Sequence, residues 1–364
     1  MFRRTDYILA TIFLLLILFG LVMLSSAGSY VGFQKFQDSY YYVKHQLLSG
    51  ILPGIFAFFL FYLVDYRRWR AWVLPLFVVS LALLALVLIP GFGVSYGRTQ
   101  SWLNLGGFSF QPVEFMKLAL ILFFAAWLEG ELLYGGKEAL REAFWPFVVR
   151  LGIVGGLVAL QPDIGTLGMI IVIAFVQYII AGAPWKHIMI TVVAALGAFV
   201  SLVVVAPYRL ARVLVFLDTS SDPQGAGYHI QQALLSIGSG GIFGVGLGQS
   251  RQKLSYLPEV VGDSIFAVIA EELGFIVAAL VVITFLVILV RGFRIAARAP
   301  DDFGKFIAAG IVVWIVGQAF LNMGAMLGIL PLTGLPLPFL SYGGTSMVMT
   351  LAAAGLLLNI AKQS

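Results

Sequence analysis

The chain alternates long apolar stretches with short polar ones. Apolar runs of about 17–27 residues recur along it, and each is long enough to cross a hydrocarbon core of roughly 30 Å as a helix. The predicted spans are 7–27, 47–64, 72–90, 112–128, 144–160, 166–183, 187–206, 264–290, 306–330 and 344–361. The pattern therefore predicts an all-α integral membrane protein, a single bundle of about ten transmembrane helices with one domain over residues 1–364.

Composition agrees with this assignment and narrows the chemistry. Of 364 residues, 61% are hydrophobic and only 11% are charged, against roughly 25% charged in a soluble domain. The formal charge of +5 suits anionic lipids, so we do not expect a nucleic acid as a partner. The chain has no cysteine, which excludes a disulfide and a thiolate nucleophile. His45, His187 and His229 lie far apart and show no metal-ligand spacing.

The distribution of Lys and Arg predicts the orientation. With the N-terminus inside, thirteen of these residues lie in cytoplasmic segments, whereas the short outer loops hold only Lys35, Lys44 and Arg98. Both termini are therefore expected in the cytoplasm, and residues 207–262 form a large extracellular loop. Within it, residues 229–248 join an amphipathic turn or two to a glycine-rich strip, expected on the outer membrane surface. Close backbone packing explains these glycines better than phosphate binding, because no Gly-x4-Gly-Lys-Ser/Thr occurs.

Charged residues at the spans are the candidates for chemistry, because each costs at least about 2.5–3.5 kcal/mol near a span centre. Glu114 and Lys117 open the fourth span after Pro112, which is favourable at a first helical position. Their i, i+3 spacing places them on one helix face, with Lys117 about 8 Å below the outer surface. They are either a self-neutralising ion pair that packs or a substrate-binding pair.

Asp163 lies in the predicted outer turn between spans five and six, in the sequence Gln-Pro-Asp-Ile-Gly-Thr at 161–166. Asp163 or Thr166 can cap the following helix, where an acceptor and a negative charge both stabilise the helix. The alternative is that Asp163 contacts the substrate directly.

Asp263 stands where the outer loop enters span eight, and Glu271 and Glu272 follow in the same predicted helix. At 100° per residue, Glu271 lies roughly 80° from Asp263 and about 12 Å deeper, and Glu272 points to the opposite side. The three acids therefore cannot serve one site. Asp263 has the exposure of a working carboxylate, although helix capping also explains it, and Glu271 or Glu272 is expected to be paired inside the bundle.

Basic residues gather toward the same outer side and suit an anionic headgroup such as a pyrophosphate. They are Arg98, Lys117, Arg209, Arg212, Arg251 and Lys253. The predicted substrate is therefore a lipid-linked anion handled at the outer face.

Several motifs in order along nearly the whole chain resemble the SEDS family of bacterial cell-wall proteins, whose branches are FtsW, RodA and SpoVE. The motifs are Trp-Leu-Asn-Leu-Gly at 102–106, Gln-Pro-Val-Glu-Phe-Met-Lys at 111–117, Gln-Pro-Asp-Ile-Gly-Thr at 161–166, Asp-Pro-Gln-Gly-Ala-Gly-Tyr at 222–228, Lys-Leu-Ser-Tyr-Leu-Pro-Glu at 253–259, Asp263 with Ile-Phe-Ala at 265–267, Glu-Glu-Leu-Gly at 271–274 and Gly-Leu-Pro-Leu-Pro-Phe-Leu-Ser-Tyr-Gly-Gly at 334–344. The first span and the C-terminal stretch look most like the division branch, FtsW.

The resemblance implies a peptidoglycan glycosyltransferase that polymerises lipid II, the undecaprenyl-pyrophosphate-linked disaccharide pentapeptide, at the outer face of the bacterial cytoplasmic membrane. It implies Asp263 as the essential carboxylate and Glu114 with Lys117 as the conserved pair. It also implies a class B penicillin-binding protein, a transpeptidase, as partner, together with other divisome membrane proteins. One departure is that the family usually reads His-Thr-Asp where this chain has Val261, Gly262 and Asp263.

The hypothesis for the mechanism makes Asp263 the general base for the acceptor hydroxyl. The leaving pyrophosphate would be stabilised by Lys117 with Arg98, Arg209 or Arg212, or by a divalent cation such as Mg²⁺ or Mn²⁺. Three alternatives remain at the level of sequence: a lipid II flippase, a scaffold for division proteins, and an elongation polymerase of the RodA type.

Overall fold

The computed structural model describes residues 6–96, 99–106, 108–205 and 225–364. The chain is mostly helical, as predicted. Its elements in order are α1 (Tyr7–Phe36), α2 (Tyr41–His45), a π-helical stretch (Gln46–Ile51), α3 (Leu52–Leu63), a 3₁₀ helix (Tyr66–Trp72), α4 (Val73–Val87), β1 (Gly93–Tyr96), β2 (Thr99–Leu105), β3 (Phe108–Phe110), α5 (Pro112–Glu142), α6 (Phe144–Leu160), α7 (Ile164–Ile180), α8 (Trp185–Val205), α9 (Ala226–Gly240), α10 (Ile265–Arg298), α11 (Asp302–Met326) and α12 (Gly344–Gln363).

Every predicted span coincides with a helix. Within the described part of the chain, seven helices are long and apolar enough to cross a membrane: Tyr7–Phe36, Tyr41–Leu63, Tyr66–Val87, Pro112–Gly136, Ile265–Arg298, Asp302–Met326 and Gly344–Gln363. Three further apolar helices are shorter, namely Phe144–Leu160, Ile164–Ile180 and Trp185–Ala194. The multi-pass membrane fold is thus confirmed, while the count of ten crossings stays a prediction.

A small β-sheet between α4 and α5 was not predicted. Strands β1, β2 and β3 form an antiparallel meander in which Gly93 pairs with Leu103, and Leu103 in turn pairs with Phe110. The sequence held a signal for it, since a two-residue Gly-Gly connection at 106–107 between short alternating segments is typical of a hairpin. The sheet lies directly before α5. The Thr345 hydroxyl, which lies next to Ser109, accepts a hydrogen bond from the Gln111 amide (3.2 Å).

Helix α11 is the centre of the bundle. It packs against α5, α7, α10 and α12, and 83% of its most apolar 18-residue stretch is buried inside the protein. A helix that is apolar all round is typical of such a central position. Its two amide side chains, Gln318 and Asn322, are consequently buried as well, with 0% and 1% exposed.

The glycine-rich segment after α9 packs its backbone against α10, as predicted. Gly274 interrupts α10 with a left-handed φ of 78°, and the Phe275 amide donates to the Gly241 carbonyl (2.9 Å). A Cβ added to Gly244 would lie 2.2 Å from the Glu272 carbonyl oxygen, so no side chain fits there. The predicted turn or two before this segment is in fact the 15-residue helix α9. Residues 206–224, the first part of the predicted loop, lie outside the described residues.

Candidate functional site

Asp263 lies on a loop rather than within a helix, which corrects the prediction. Helix α10 begins at Ile265 with Ser264 as its N-cap residue, so the angles predicted between Asp263 and the two glutamates do not apply. Asp263 is partly buried, and its backbone carbonyl accepts a hydrogen bond from Asn322 Nδ2 (2.8 Å). A Cβ added to Gly334 would lie 3.8 Å from Asp263 Oδ2, so the backbone at Gly334 lies beside the carboxylate.

The loop that carries Asp263 is held by the segment 334–343 between α11 and α12. Ser341 Oγ donates to the Gly262 carbonyl (2.7 Å), and the Tyr342 amide donates to the Val261 carbonyl (2.8 Å). These bonds fix the backbone immediately before Asp263. Val261 and Gly262 thus both have hydrogen-bonded carbonyls.

A histidine from α9 approaches the same loop from the other side. His229 Nε2 lies 2.6 Å from Ser264 Oγ, and Ser264 Oγ also donates to the Pro258 carbonyl (2.7 Å). Because the hydroxyl has one proton and gives it to Pro258, His229 must donate its Nε2 proton to Ser264. This contact connects α9 to the start of α10, one residue after Asp263.

Glu114 and Lys117 form the predicted ion pair at the start of α5. Lys117 Nζ donates to Glu114 Oε1 (2.8 Å) and to Gln318 Oε1 (2.8 Å), and it lies 4.8 Å from the centre of the Trp314 ring. Both charged side chains are buried. Glu114 Oε2 has no hydrogen-bond partner among the described residues. Contact of the pair with substrate stays a prediction.

Asp163 caps α7, as one of the two alternatives predicted. Its Oδ1 accepts from the Thr166 amide (3.0 Å), and its Oδ2 accepts from the Thr166 hydroxyl (2.7 Å). Burial raises the pKa of the Asp163 carboxyl, whereas the bonds from Thr166 and the charge of Lys117 act in the opposite direction. Helix α7, which Asp163 caps, packs against α5, the helix that carries the ion pair. Direct contact between Asp163 and substrate stays a prediction.

Two amides on α11 join these groups, and sequence reasoning missed them. Gln318 accepts from Lys117 and donates to the Pro336 carbonyl (2.8 Å). Asn322, one turn along, donates to the Leu335 carbonyl (2.8 Å) as well as to that of Asp263. The cost of a polar group in a membrane interior applies to amides as well as to charges, and this signal could have identified both residues.

Glu271 and Glu272 are both paired inside the bundle, as predicted for at least one of them. Glu271 accepts from Ser250 Oγ (2.6 Å) and from the Arg251 amide (2.9 Å). Glu272 forms an ion pair with Lys253 (2.7 Å). These contacts attach residues 250–253 to α10, so the two glutamates serve the packing of this segment.

Three predicted basic residues, Arg98, Arg209 and Arg212, lie outside the described residues. Within residues 6–96, 99–106, 108–205 and 225–364, no group of three or more His, Asp or Glu side chains is arranged to hold a metal ion. The carboxylates of the site are separately committed, since Glu114 pairs with Lys117 and Asp163 caps α7.

Known proteins similar to this chain fall in one group. The Stage V sporulation protein E of Bacillus subtilis is 44% identical over 99% of this chain and 97% of that protein. The probable peptidoglycan glycosyltransferase FtsW of Trichlorobacter lovleyi is 40% identical over 99% of this chain and 94% of that protein. The predicted FtsW-like character is confirmed, and the similarity extends to the sporulation branch.

Solved structures agree in fold over nearly the whole chain. A chain of a peptidoglycan synthase complex, described for its structural coordination of polymerization and crosslinking, superposes with a TM-score of 0.81 at 29% identity and covers 99% of this chain and 98% of that one. The rod shape determining protein RodA of Thermus thermophilus gives 0.72 at 28% identity, covering 99% and 97%. The family model described as cell cycle protein, FtsW/RodA/SpoVE, matches residues 6–364, and the chain therefore belongs to this family, the SEDS proteins.

Proposed function

We propose that this protein is a peptidoglycan glycosyltransferase that polymerises lipid II into glycan strands during cell division. The observation that carries the proposal is the setting of Asp263, a partly buried carboxylate on a loop held by Asn322, Ser341 and Tyr342. A base must be held in place to act on one hydroxyl group. The names of the FtsW relatives support the same activity.

In the proposed reaction, Asp263 takes the proton from the 4-hydroxyl of the acceptor N-acetylglucosamine as this oxygen attacks the anomeric carbon of the donor. The bond from that carbon to the pyrophosphate oxygen breaks, and the pyrophosphate leaves with the bonding electrons. A single attack inverts the anomeric configuration. One carboxylate suffices, because the pyrophosphate leaves without needing a proton. General base catalysis contributes typically about 10²–10⁴-fold, and the rest comes from positioning and charge stabilisation.

The proposed location is the bacterial cytoplasmic membrane, with both termini in the cytoplasm and Asp263 at the outer face. The excess of Lys and Arg in segments on the other side of the spans supports this orientation. We also propose a class B penicillin-binding protein as partner, along with other membrane proteins of division. The similarity to a chain of a peptidoglycan synthase complex supports such an assembly.

Purified protein incubated with lipid II tests the proposal. We expect wild type to form glycan strands and Asp263→Ala to lose about 10²–10⁴-fold in rate. Glu259→Gln is the matched control, because Glu259 is an exposed carboxylate on the same loop and should retain activity. Equal rates for wild type and Asp263→Ala would refute an enzymatic role for this residue. Transfer of lipid II across vesicle membranes without glycan synthesis would instead indicate a flippase.

A further inference from the structure

A groove of about 800 Å³ runs along α1 on the face toward residues 247–254. Its walls include Leu21, Val22 and Phe33 from α1 and Leu247 from the glycine-rich segment. From Leu21 to Phe33 the helix rises about 18 Å, so the groove is long enough for a stretch of lipid chain. Val22 and Leu247 are both exposed. The volume lies within the range typical of ligand-binding sites.

Hydroxyl groups line the same groove toward the outer end of α1. Ser25, Ser29, Tyr30 and Ser39 all contribute to its wall. Within the described part of the chain, Ser25 and Ser39 make no side-chain hydrogen bond, and Tyr30 OH only accepts, from Gln34 (2.5 Å). The hydroxyls of Ser25, Tyr30 and Ser39 can therefore donate to a ligand, whereas the Ser29 hydroxyl donates to the Ser26 carbonyl (3.0 Å) and can only accept. A groove that is apolar at one end and hydroxylated along its length suits an amphiphile with a hydrogen-bonding headgroup.

The groove carries no surplus of positive charge. Lys253 reaches its wall, but its ammonium donates to Glu272 (2.7 Å) and Ser26 (2.9 Å). Glu271 is the neighbouring buried carboxylate, and it is held by hydroxyl and amide donors rather than by a cation. Among the described residues, the buried charges beside the groove are therefore two carboxylates and one ammonium.

The charge balance decides which lipid-linked sugar the groove fits. The pyrophosphate of the donor gains negative charge as it leaves, and stabilising that charge requires cations aimed at it. The acceptor reacts through an uncharged hydroxyl and keeps its own pyrophosphate, whose charge does not change in the reaction, so the chemical step requires no additional cation at its site. Free hydroxyls beside a neutralised ion pair therefore suit the acceptor, but they supply no cation for the leaving pyrophosphate of the donor.

Helix α1, which forms one wall of the groove, also contacts the loop that carries Asp263. Gly28 faces this loop from α1, and a Cβ added to it would lie 3.3 Å from Val261 Cγ1. Ser25 and Ser29, which line the groove, are Gly28's neighbours on the helix. Val261 precedes Asp263 by two residues, a distance of at most about 7 Å along the chain. A headgroup that extends past Ser25 and Ser29 therefore approaches the carboxylate.

We propose that the α1 groove binds the acceptor, a polyprenyl-linked sugar, with its isoprenoid chain along Leu21 and Val22 and its headgroup at Ser25, whose hydroxyl can donate, and Ser29, whose hydroxyl can accept. This assignment rests on the proposed polymerase function and names the second substrate site that such a reaction needs. Polymerisation joins two lipid-linked sugars, so both must reach Asp263 from the membrane at the same time.

A bulky substitution in the groove tests the assignment. Val22→Trp fills the groove, and Leu18→Trp is the matched control, because both side chains are 50% exposed on α1 and only Val22 lines the groove. Initial rates are measured against lipid II concentration. We expect Val22→Trp to raise the half-saturating concentration about tenfold, which corresponds to 1.4 kcal/mol, with the maximal rate nearly unchanged. Leu18→Trp should behave as wild type.

A binding measurement separates this inference from the proposed function. A photoreactive phenylalanine analogue at Leu247 should capture lipid II, and the same analogue at Leu18 should not. Excess phosphatidylglycerol should fail to compete. Equal kinetics for the two tryptophan variants, or capture that phosphatidylglycerol abolishes, would overturn the assignment and identify the groove as a place for ordinary membrane lipid. A wild type that makes no glycan would refute the proposed function, and the capture experiment would still decide whether the groove binds lipid II.

Discussion

Replacement of Asn322 by leucine tests whether the amides of α11 position the carboxylate. The side chain is 1% exposed, and its Nδ2 donates to the carbonyls of Asp263 and Leu335, both at 2.8 Å. Asn322→Leu removes both of these hydrogen bonds. Interhelical hydrogen bonds in membranes average about 0.6 kcal/mol and reach about 1.7, so the loss of two costs about 1–3 kcal/mol. Relief of the unpartnered Asn322 Oδ1 offsets part of this cost.

The same change should lower catalysis more than stability alone explains. The carbonyl of Asp263 loses its tether, and a displacement of about 1 Å can reduce a rate by about 10²-fold. The assay measures initial glycan synthesis from lipid II alongside thermal unfolding in detergent. We expect kcat to fall about 10²-fold while KM changes little, because Asn322 has no exposed surface for substrate.

Asn359→Leu is the matched control for this experiment. Asn359 is 3% exposed, and its Nδ2 likewise donates to two carbonyls, those of Tyr62 (2.6 Å) and Val64 (3.0 Å). It lies about 22 Å along α12 from Gly344, away from Asp263. Its Oδ1 also accepts from the Tyr66 amide (3.1 Å) and from Gln363 (3.0 Å), so its loss should reduce stability at least as much as Asn322→Leu, while folded protein keeps its kcat. If the two leucine variants lose kcat equally, or if Asn322→Leu keeps wild-type kcat, the positioning role is wrong.

Three further outcomes follow from contacts outside the site. Gly244→Ala should lower the melting temperature more than Gly248→Ala. Both glycines have φ near +80°, but only a Cβ at Gly244 would clash, whereas nothing lies within 4 Å of a Cβ at Gly248. Equal melting temperatures for the two variants in thermal unfolding would contradict the close packing. Glu272→Gln should cost about 3–5 kcal/mol by leaving Lys253 without its counter-charge, and a second change, Lys253→Met, should recover most of the loss in the same unfolding assay. Asp301 has a pKa below its ordinary value, since hydrogen bonds that stabilise its charge outweigh the effect of burial. Its contribution to stability is therefore complete above about pH 4 and is lost as the pH falls through the lower pKa of the folded state. Asp301→Asn should consequently weaken the acid dependence of unfolding.

Local patterns were sufficient to predict the helices and the ion pair. Glu114 and Lys117 are three residues apart on one helix, so their contact follows from helical geometry alone, and Asp163 caps α7 through a contact that also spans three residues. The prediction of close backbone packing for the glycine-rich segment was also correct, because such packing explains why an apolar strip contains so many glycines. In each case the information lies within one short stretch of sequence.

The position of Asp263 could not be predicted in the same way. Helical periodicity continues the pattern of α10 back through Asp263, yet the carbonyls of Val261 and Gly262 bind to Tyr342 and Ser341 instead. Those partners belong to a segment far away in the sequence, and their hydrogen bonds keep Val261 and Gly262 outside the helix. Tertiary hydrogen bonds decide the start of α10, as they commonly decide helix ends.

Helix α11 connects the two parts of the candidate site, the Glu114–Lys117 ion pair and the loop that carries Asp263. Gln318 connects Lys117 to the Pro336 carbonyl, and Asn322 connects the adjacent Leu335 carbonyl to that of Asp263. The two amides are one turn apart on a helix that is buried nearly all round, so a shift of α11 moves both contacts together. Lys117 has no exposed surface of its own. A change at Lys117 is therefore expected to reach catalysis through the placement of Asp263, and a loss of activity there should be interpreted first as a loss of position.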